Sequence, residues 1–193
     1  MSPVTTATKI TIARLVFVPP LVFAIWGAAR WPQSATPMRI GAIALFMAAA
    51  LTDLLDGYVA RRFNQRSRLG AALDPLVDKV LLGAAIWAIW ACRSAYVAVP
   101  LWYPAIVTLN DVVLGVGYLA VRRRIDPDEF RSMLWGKVAT ALQIVVVGWL
   151  LVGLPQSALV IAVAAAGTAA SGAAYVLRAL RLMGKMKLQT QDT

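Results

Sequence analysis

Four aspartates, Asp53, Asp56, Asp74 and Asp78, stand within or beside long apolar stretches of the chain. A carboxylate in such a setting is costly and is a functional residue by default. Asp53 and Asp56 are three residues apart, and Gly57 and Ala60 follow at four and seven from Asp53. At about 100° per residue these positions, together with Arg61, cover one face of a helix. Gly70, Asp74 and Asp78 recur every four residues and share one face of the next helix. The connection between the two is short and basic, so they are expected as antiparallel neighbours whose four carboxylates converge at one end. Such a cluster cannot stay fully ionised in a low-dielectric site without cations: either protons bind or metal does. With only oxygen donors and no histidine in the chain, a hard ion such as Mg²⁺, Mn²⁺ or Ca²⁺ is favoured. Four carboxylates suit two ions, an arrangement used in phosphoryl chemistry. Gly57, Ala60 and Gly70 lack bulk on the same faces and leave room for a flat base and a diphosphate. The alternative is structural pairing of the aspartates with Arg61, Arg62 and Lys79, which does not account for small residues recurring between them.

The elements that must position these groups are helices in a membrane. The chain has 193 residues, 60% hydrophobic and 15% charged, with a mean hydropathy of +0.71. That composition excludes an ordinary soluble enzyme and a disordered chain. At about 20 residues per crossing the length accommodates about six spans. Apolar runs fall at 10–29, 38–60, 70–91, 97–121, 136–153 and 155–177, which gives an all-α membrane protein of six transmembrane helices and a single domain, 1–193. The first run reads as a retained helix rather than a signal peptide, with Pro19 and Pro20 kinking it. The absence of histidine excludes Ser–His hydrolysis and His-ligated zinc. The lone Cys92 permits no intrachain disulfide and is read as a packing residue.

The basic residues orient the spans. Lys9, Arg14, Arg61, Arg62, Arg66, Arg68, Arg122, Arg123, Arg124, Arg131, Lys137, Arg178, Arg181, Lys185 and Lys187 lie on the side of the termini, against Arg30, Arg39 and Arg93 opposite. Cytoplasmic loops concentrate Lys and Arg, so both termini and the 61–69 loop are expected in the cytoplasm. Trp31, Trp90, Trp102, Trp135 and Trp149 fall near span ends, as an interfacial belt does. The net charge of +10 is placed to meet anionic head groups and phosphate substrates, not nucleic acid.

Residues 53–78 read Asp53-Leu-Leu-Asp56-Gly57-Tyr-Val-Ala60-Arg61, eight residues, then Gly70-Ala-Ala-Leu-Asp74-Pro-Leu-Val-Asp78. This resembles the signature of the CDP-alcohol phosphotransferase (CDP-alcohol phosphatidyltransferase) family at every position. The resemblance implies six membrane helices, usually as a homodimer, an active site at the cytoplasmic surface of a bacterial inner or plasma membrane, and two divalent ions, Mg or Mn. It implies transfer of a phosphatidyl or related group from a CDP-linked donor to a hydroxyl, with CMP released. Ile10-Thr11-Ile-Ala-Arg14 followed by Pro19, Gly136-Lys137-Val-Ala-Thr140 and Ser171-Gly172-Ala-Ala-Tyr175 are similar to segments of the branch of phosphatidylglycerophosphate synthases and CMP-forming cardiolipin synthases. Within that branch the donor is CDP-diacylglycerol and the acceptor glycerol 3-phosphate or, alternatively, phosphatidylglycerol. Many glycerol-phosphate users of the branch carry an Ala-Arg-Glu-type segment in the fourth helix, where this chain has Leu109-Asn110-Asp111. The 111–124 stretch looks more like the cardiolipin synthases.

In the reading that follows from the resemblance, Asp53, Asp56, Asp74 and Asp78 hold the metal pair. Asp53, Asp56, Gly57, Ala60, Arg61, Gly70 and Asp74 bind the donor nucleotide and diphosphate. Asp78 is the general base toward the acceptor hydroxyl. Thr11, Arg14, Arg122 and Lys137 are candidates for lipid or acceptor phosphate. A reading from another class, a cation-coupled transporter using the carboxylates as an ion site, lacks a second copy of the aspartate pattern in the later half of the chain.

Overall fold

The computed structural model describes residues 15–62, 68–92, 96, 98–121 and 134–189, with side chains described throughout except at 53–62, 68–76, 117–121, 134–135 and 179–189. Among the described residues the structure is all helical: α1 (Val18–Arg30), a 3-10 turn (Pro32–Ser34), α2 (Ala35–Arg62), α3 (Arg68–Ala91), α4 (Trp102–Val121), α5 (Leu134–Val152) and α6 (Ser157–Gln189). Among the described residues each of the six apolar runs carries one of these helices, and the differences lie at the ends. Pro19 and Pro20 occupy the first turn of α1, where a missing N–H costs nothing, and a turn at Val16 and Phe17 separates that helix from the helical Leu15. α4 begins at Trp102 rather than at 97, because Pro100 withholds a donor and disfavours helical backbone at the residue before it. α6 runs to Gln189, past the end of the apolar run at 177. Its extension is basic but rich in Leu, Met, Lys and Arg, which are good helix formers. Hydropathy therefore marks the end of a candidate membrane crossing there, not the end of the helix.

Two compact units form. Unit 1 comprises residues 1–100 and 147–157. In it α1 packs against both α2 and α3. Leu21, Ala24, Ile25 and Ala28 from α1, Ala42, Phe46 and Ala49 from α2, and Leu82, Ala85, Ile86 and Ile89 from α3 are buried at three- and four-residue spacing. Beyond α1, Phe23, Trp26 and Trp31 form an aromatic cluster, with Trp26 edge-on to Trp31 at 5.3 Å between centroids. Trp31 and Trp102 flank helix ends, and Trp90 and Trp149 lie in last turns, as an interfacial belt requires. Cys92 is buried and unbonded, and burial pushes its thiol up, which makes it a packing residue.

The end of α5 closes on unit 1 through a left-handed glycine. Gly153 has φ +78°, and the N–H groups of Gly153 and Leu154 both donate to the Trp149 carbonyl at 3.0 and 3.2 Å. The Trp149 indole N–H donates to the Pro155 carbonyl at 2.9 Å and ties the turn to the helix. Arg39 reaches the same place: a Cβ on Gly153 would lie 3.4 Å from its Nη1, and its guanidinium carbon stands 4.8 Å from the centre of the Tyr96 ring. A cation there complements the negative end of α5.

Unit 2 comprises residues 101–146 and 158–193. Tyr103 and Val107 of α4, Ala139 and Val146 of α5, and Ile161, Ala164 and Ala165 of α6 are buried. A Cβ on Gly167 would lie 2.7 Å from Leu142 Cδ1, so the missing side chain lets α5 and α6 approach closely. The outward faces carry the bulk: Leu109, Val112, Val116, Val145, Leu159, Val163 and Leu177 are exposed. Thr108 and Thr140 satisfy their hydroxyls by donating to the carbonyls of Pro104 and Gly136, four residues back. Apolar faces turned outward suit hydrocarbon rather than water as solvent. Among the described residues, Pro32–Thr52 and Ser157–Arg178 are long and apolar enough to cross a membrane, and Val18–Arg30, Trp102–Val116 and Gly136–Val152 are shorter apolar helices.

The left-handed turn gives a stability test. Gly153→Ala places an L side chain at positive φ and is expected to cost about 1 kcal/mol, read as a lower midpoint of thermal unfolding in detergent. An unchanged midpoint would show that the turn does not hold the end of α5.

Candidate functional site

The inward stripe of α2 leads directly to the first two aspartates. Ala42, Phe46 and Ala49 are buried at 0, 2 and 0% exposure, and the same register, continued by four and seven residues from Ala49, arrives at Asp53 and Asp56. Both lie within α2, as do Gly57, Ala60 and Arg61. The stripe of α3 behaves in the same way in reverse. Ile89, Ala85 and Leu82 are buried, and stepping back four residues from Leu82 gives Asp78 and eight gives Asp74, with Gly70 four further on. Asp78 is partly buried, between buried Val77 and exposed Val80. The backbone therefore sets all four aspartates at positions continuous with the packed faces of unit 1, not with its exposed ones.

Asp53, Asp56 and Asp74 fall outside the described side chains, so the convergence expected of the four carboxylates is argued from register alone. Among the described residues no three His, Cys, Asp or Glu side chains gather. The loop at 63–67, expected to make α2 and α3 antiparallel neighbours, lies outside the described residues, and so do Thr11, Arg14 and Arg122. Lys137 lies in the first turns of α5 and is exposed.

The donor set fits a hard divalent ion. Two pairs of carboxylates sit one helical turn apart, at i, i+3 and at i, i+4, with glycine or alanine at the neighbouring positions of each face. They offer only oxygen donors, and several carboxylates together balance divalent charge. These four residues are the group that would hold such ions.

A second constellation was not assigned a role from sequence. In unit 2, Asn110, Gln143, Thr168 and Ser171 are buried. Gln143 Nε2 donates to Thr168 Oγ1 at 3.1 Å. A Cβ on Gly172 would lie 2.5 Å from Asn110 Oδ1, and one on Gly136 would lie 3.9 Å from Ser171 Oγ. The signal in the sequence is the spacing of polar and small residues within apolar runs: Thr168, Ser171, Gly172 and Tyr175 lie at i, i+3, i+4 and i+7.

The sequence profile of the CDP-alcohol phosphatidyltransferase family matches residues 4–171. A probable phosphatidylglycerophosphate synthase of Mycobacterium tuberculosis is 31% identical over 187 residues, covering 94% of this chain and 84% of that protein. The CDP-diacylglycerol–glycerol-3-phosphate 3-phosphatidyltransferase of Escherichia coli is 33% identical over 149 residues, 75% of each chain. A protein of Arabidopsis thaliana described as CDP-diacylglycerol–glycerol-3-phosphate 3-phosphatidyltransferase 2 is 37% identical over 112 residues, covering 58% of this chain and 45% of that one.

The carboxylate register predicts metal binding that needs both helices. Mn²⁺ titrated into the purified protein and followed by electron paramagnetic resonance is expected to bind saturably. Asp53→Ala combined with Asp74→Ala should weaken binding at least about tenfold. Unchanged Mn²⁺ affinity in that variant would remove these residues as ligands.

Proposed function

The chain belongs to the CDP-alcohol phosphatidyltransferase family, and on that premise we propose that it moves the phosphatidyl group of CDP-diacylglycerol to glycerol 3-phosphate, making phosphatidylglycerophosphate and releasing CMP. The observation that carries this reading is the intact Asp53-to-Asp78 pattern, set by α2 and α3 in the register of their packed faces. Family membership makes the protein a transferase, and its apolar helices support a membrane setting. In this reading residues 1–193 act as one catalytic membrane domain that crosses the bilayer six times. The distribution of Lys and Arg puts both termini and the active site at the cytoplasmic face of a bacterial inner or plasma membrane. A homodimer is part of the same reading.

The carboxylates of Asp53, Asp56, Asp74 and Asp78 would hold two divalent ions, Mg²⁺ or Mn²⁺, which when bound supply positive charge against the donor diphosphate. Gly57, Ala60 and Gly70 leave space for the nucleotide, and Arg61 binds donor phosphate. Asp78 accepts the proton of the acceptor hydroxyl. The acceptor oxygen bonds to the phosphorus that carries the lipid, and the bond from that phosphorus to CMP breaks in the same displacement. The proton resides on Asp78 and the electron pair leaves with CMP. Thr11, Arg14, Arg122 and Lys137 remain candidates for lipid or acceptor phosphate, with Lys137 exposed and therefore accessible to one.

A second acceptor, phosphatidylglycerol, is favoured by one observation. The neutral Asn110 is buried against Gly172 in the fourth helix, where many glycerol-phosphate users of this branch carry arginine. The product would then be cardiolipin.

Radiolabelled glycerol 3-phosphate and phosphatidylglycerol, offered separately with CDP-diacylglycerol, decide between the two. Label from glycerol 3-phosphate is expected; label only from phosphatidylglycerol would replace the first acceptor by the second. Asp78→Asn should lower turnover by at least about 100-fold while donor binding persists. CMP release by that variant at the unaltered rate would remove Asp78 as the base.

A further inference from the structure

The two faces of α1 divide cleanly. Leu21, Ala24, Ile25 and Ala28 are buried, whereas Pro19, Phe23, Trp26 and Arg30 are exposed. The exposed four stand at i, i+4, i+7 and i+11 and so form one stripe along the helix. Its chemistry changes in order: proline and phenylalanine, then tryptophan, then a cation in the last turn.

Trp31 folds back onto this stripe. Its backbone N–H donates to the Gly27 carbonyl at 2.9 Å. A Cβ on Gly27 would lie 3.1 Å from Trp31 Cζ3 and 3.2 Å from Met38 Sδ, so the bare backbone lets the indole lie against the last turn. The Trp31 ring stands 5.9 Å from that of Phe23 and 5.3 Å from that of Trp26. The cluster lies where α2 begins, and the 18 residues from Ala35 to Asp53 put it about 27 Å along that helix from the first aspartate.

The spacing of the stripe fits the layers of a bilayer. At 1.5 Å per residue Arg30 lies about 6 Å beyond Trp26 along the axis. The interfacial layer on one side of a bilayer is about 5–7 Å thick. With the indoles at its inner edge, the level tryptophan favours, the guanidinium falls among the phosphates, while Phe23 and Pro19 lie deeper, in the hydrocarbon. The order phenylalanine, indole, guanidinium therefore follows the order acyl chain, ester, phosphate of one phospholipid. An indole N–H can only donate, and a guanidinium pairs with phosphate oxygens in bidentate fashion. No Asp or Glu occurs in the first 52 residues, so the chain around Arg30 brings positive charge alone. A zwitterionic head group would set its own cation against that charge; a net anionic one does not. Complementing the end of the α1 dipole accounts for a cation at position 30, but not for the exposed aromatic stripe that leads to it. We infer that Phe23, Trp26, Trp31 and Arg30 form a docking surface for one anionic phospholipid of the surrounding bilayer, at the end of unit 1 remote from the aspartates. The inference needs only a bilayer around α1 and is independent of the acceptor.

The test uses the full chain in phosphatidylcholine nanodiscs that carry a small fraction of phosphatidylglycerol or of phosphatidylcholine with a diazirine on the acyl chain. After irradiation, label on residues 19–31 is measured by mass spectrometry. Label from phosphatidylglycerol should exceed that from phosphatidylcholine about fivefold, the discrimination that one basic residue gives at an anionic surface. Arg30→Gln should bring the ratio near one, Arg30→Lys should keep most of it, and CMP release should be unaltered in both. Trp26→Leu, which retains the cation, should lower label from both lipids. Raised salt should lower the ratio in the unaltered protein, so the test stands should Arg30→Gln fail to fold. Equal label from the two lipids would reduce the stripe to part of a general aromatic belt. A ratio that survives in folded Arg30→Gln would assign the preference to another cation. Absence of label from either lipid would show that a second copy of the chain covers the face. Each of these three results overturns the inference and leaves the transferase reading standing.

Discussion

Charge held inside apolar helices is the constraint on which the rest of this structure depends. A carboxylate facing hydrocarbon would protonate or drag water with it. In α2 the packed stripe runs through Ala42, Phe46 and Ala49, and in α3 through Leu82, Ala85 and Ile89. The aspartates occupy positions in the same register, four and seven residues beyond Ala49 and four and eight before Leu82. One periodicity therefore serves both the packing of unit 1 and the spacing of the acidic positions.

Unit 2 meets the lipid problem differently. Its outward faces carry Leu, Val and Ile, while Asn110, Gln143, Thr168 and Ser171 point into the helix bundle. Between helices already surrounded by hydrocarbon, burying apolar surface gains little, and association relies on close packing and polar contacts. Gly167 against Leu142 and Gly172 against Asn110 provide the close packing, and Gln143 with Thr168 provides the contact. Among the described residues of unit 2 that logic leaves three buried oxygens without a hydrogen bond, Tyr103 Oη, Asn110 Oδ1 and Ser171 Oγ.

How much of this was legible beforehand differs by level. The six helices follow from apolar runs bounded by charge and proline, and the aspartate positions follow from spacing alone, because a 3.6-residue period is visible in any sequence. Helix ends were less legible. Pro19 and Pro20 mark an irregularity in the first apolar run, but the start of α1 at Val18, after the turn at Val16 and Phe17, is not legible from the apolar pattern. The end of α6 was hidden because Arg178 to Gln189 changes hydropathy without changing helix propensity. The polar contacts of unit 2 were least legible. Gly136, Asn110 and Ser171 lie on three different helices, and which of their faces meet is a tertiary fact that no local pattern encodes. Asn110 stood out only as a departure from an expected arginine, and its close approach to Gly172 is a tertiary contact.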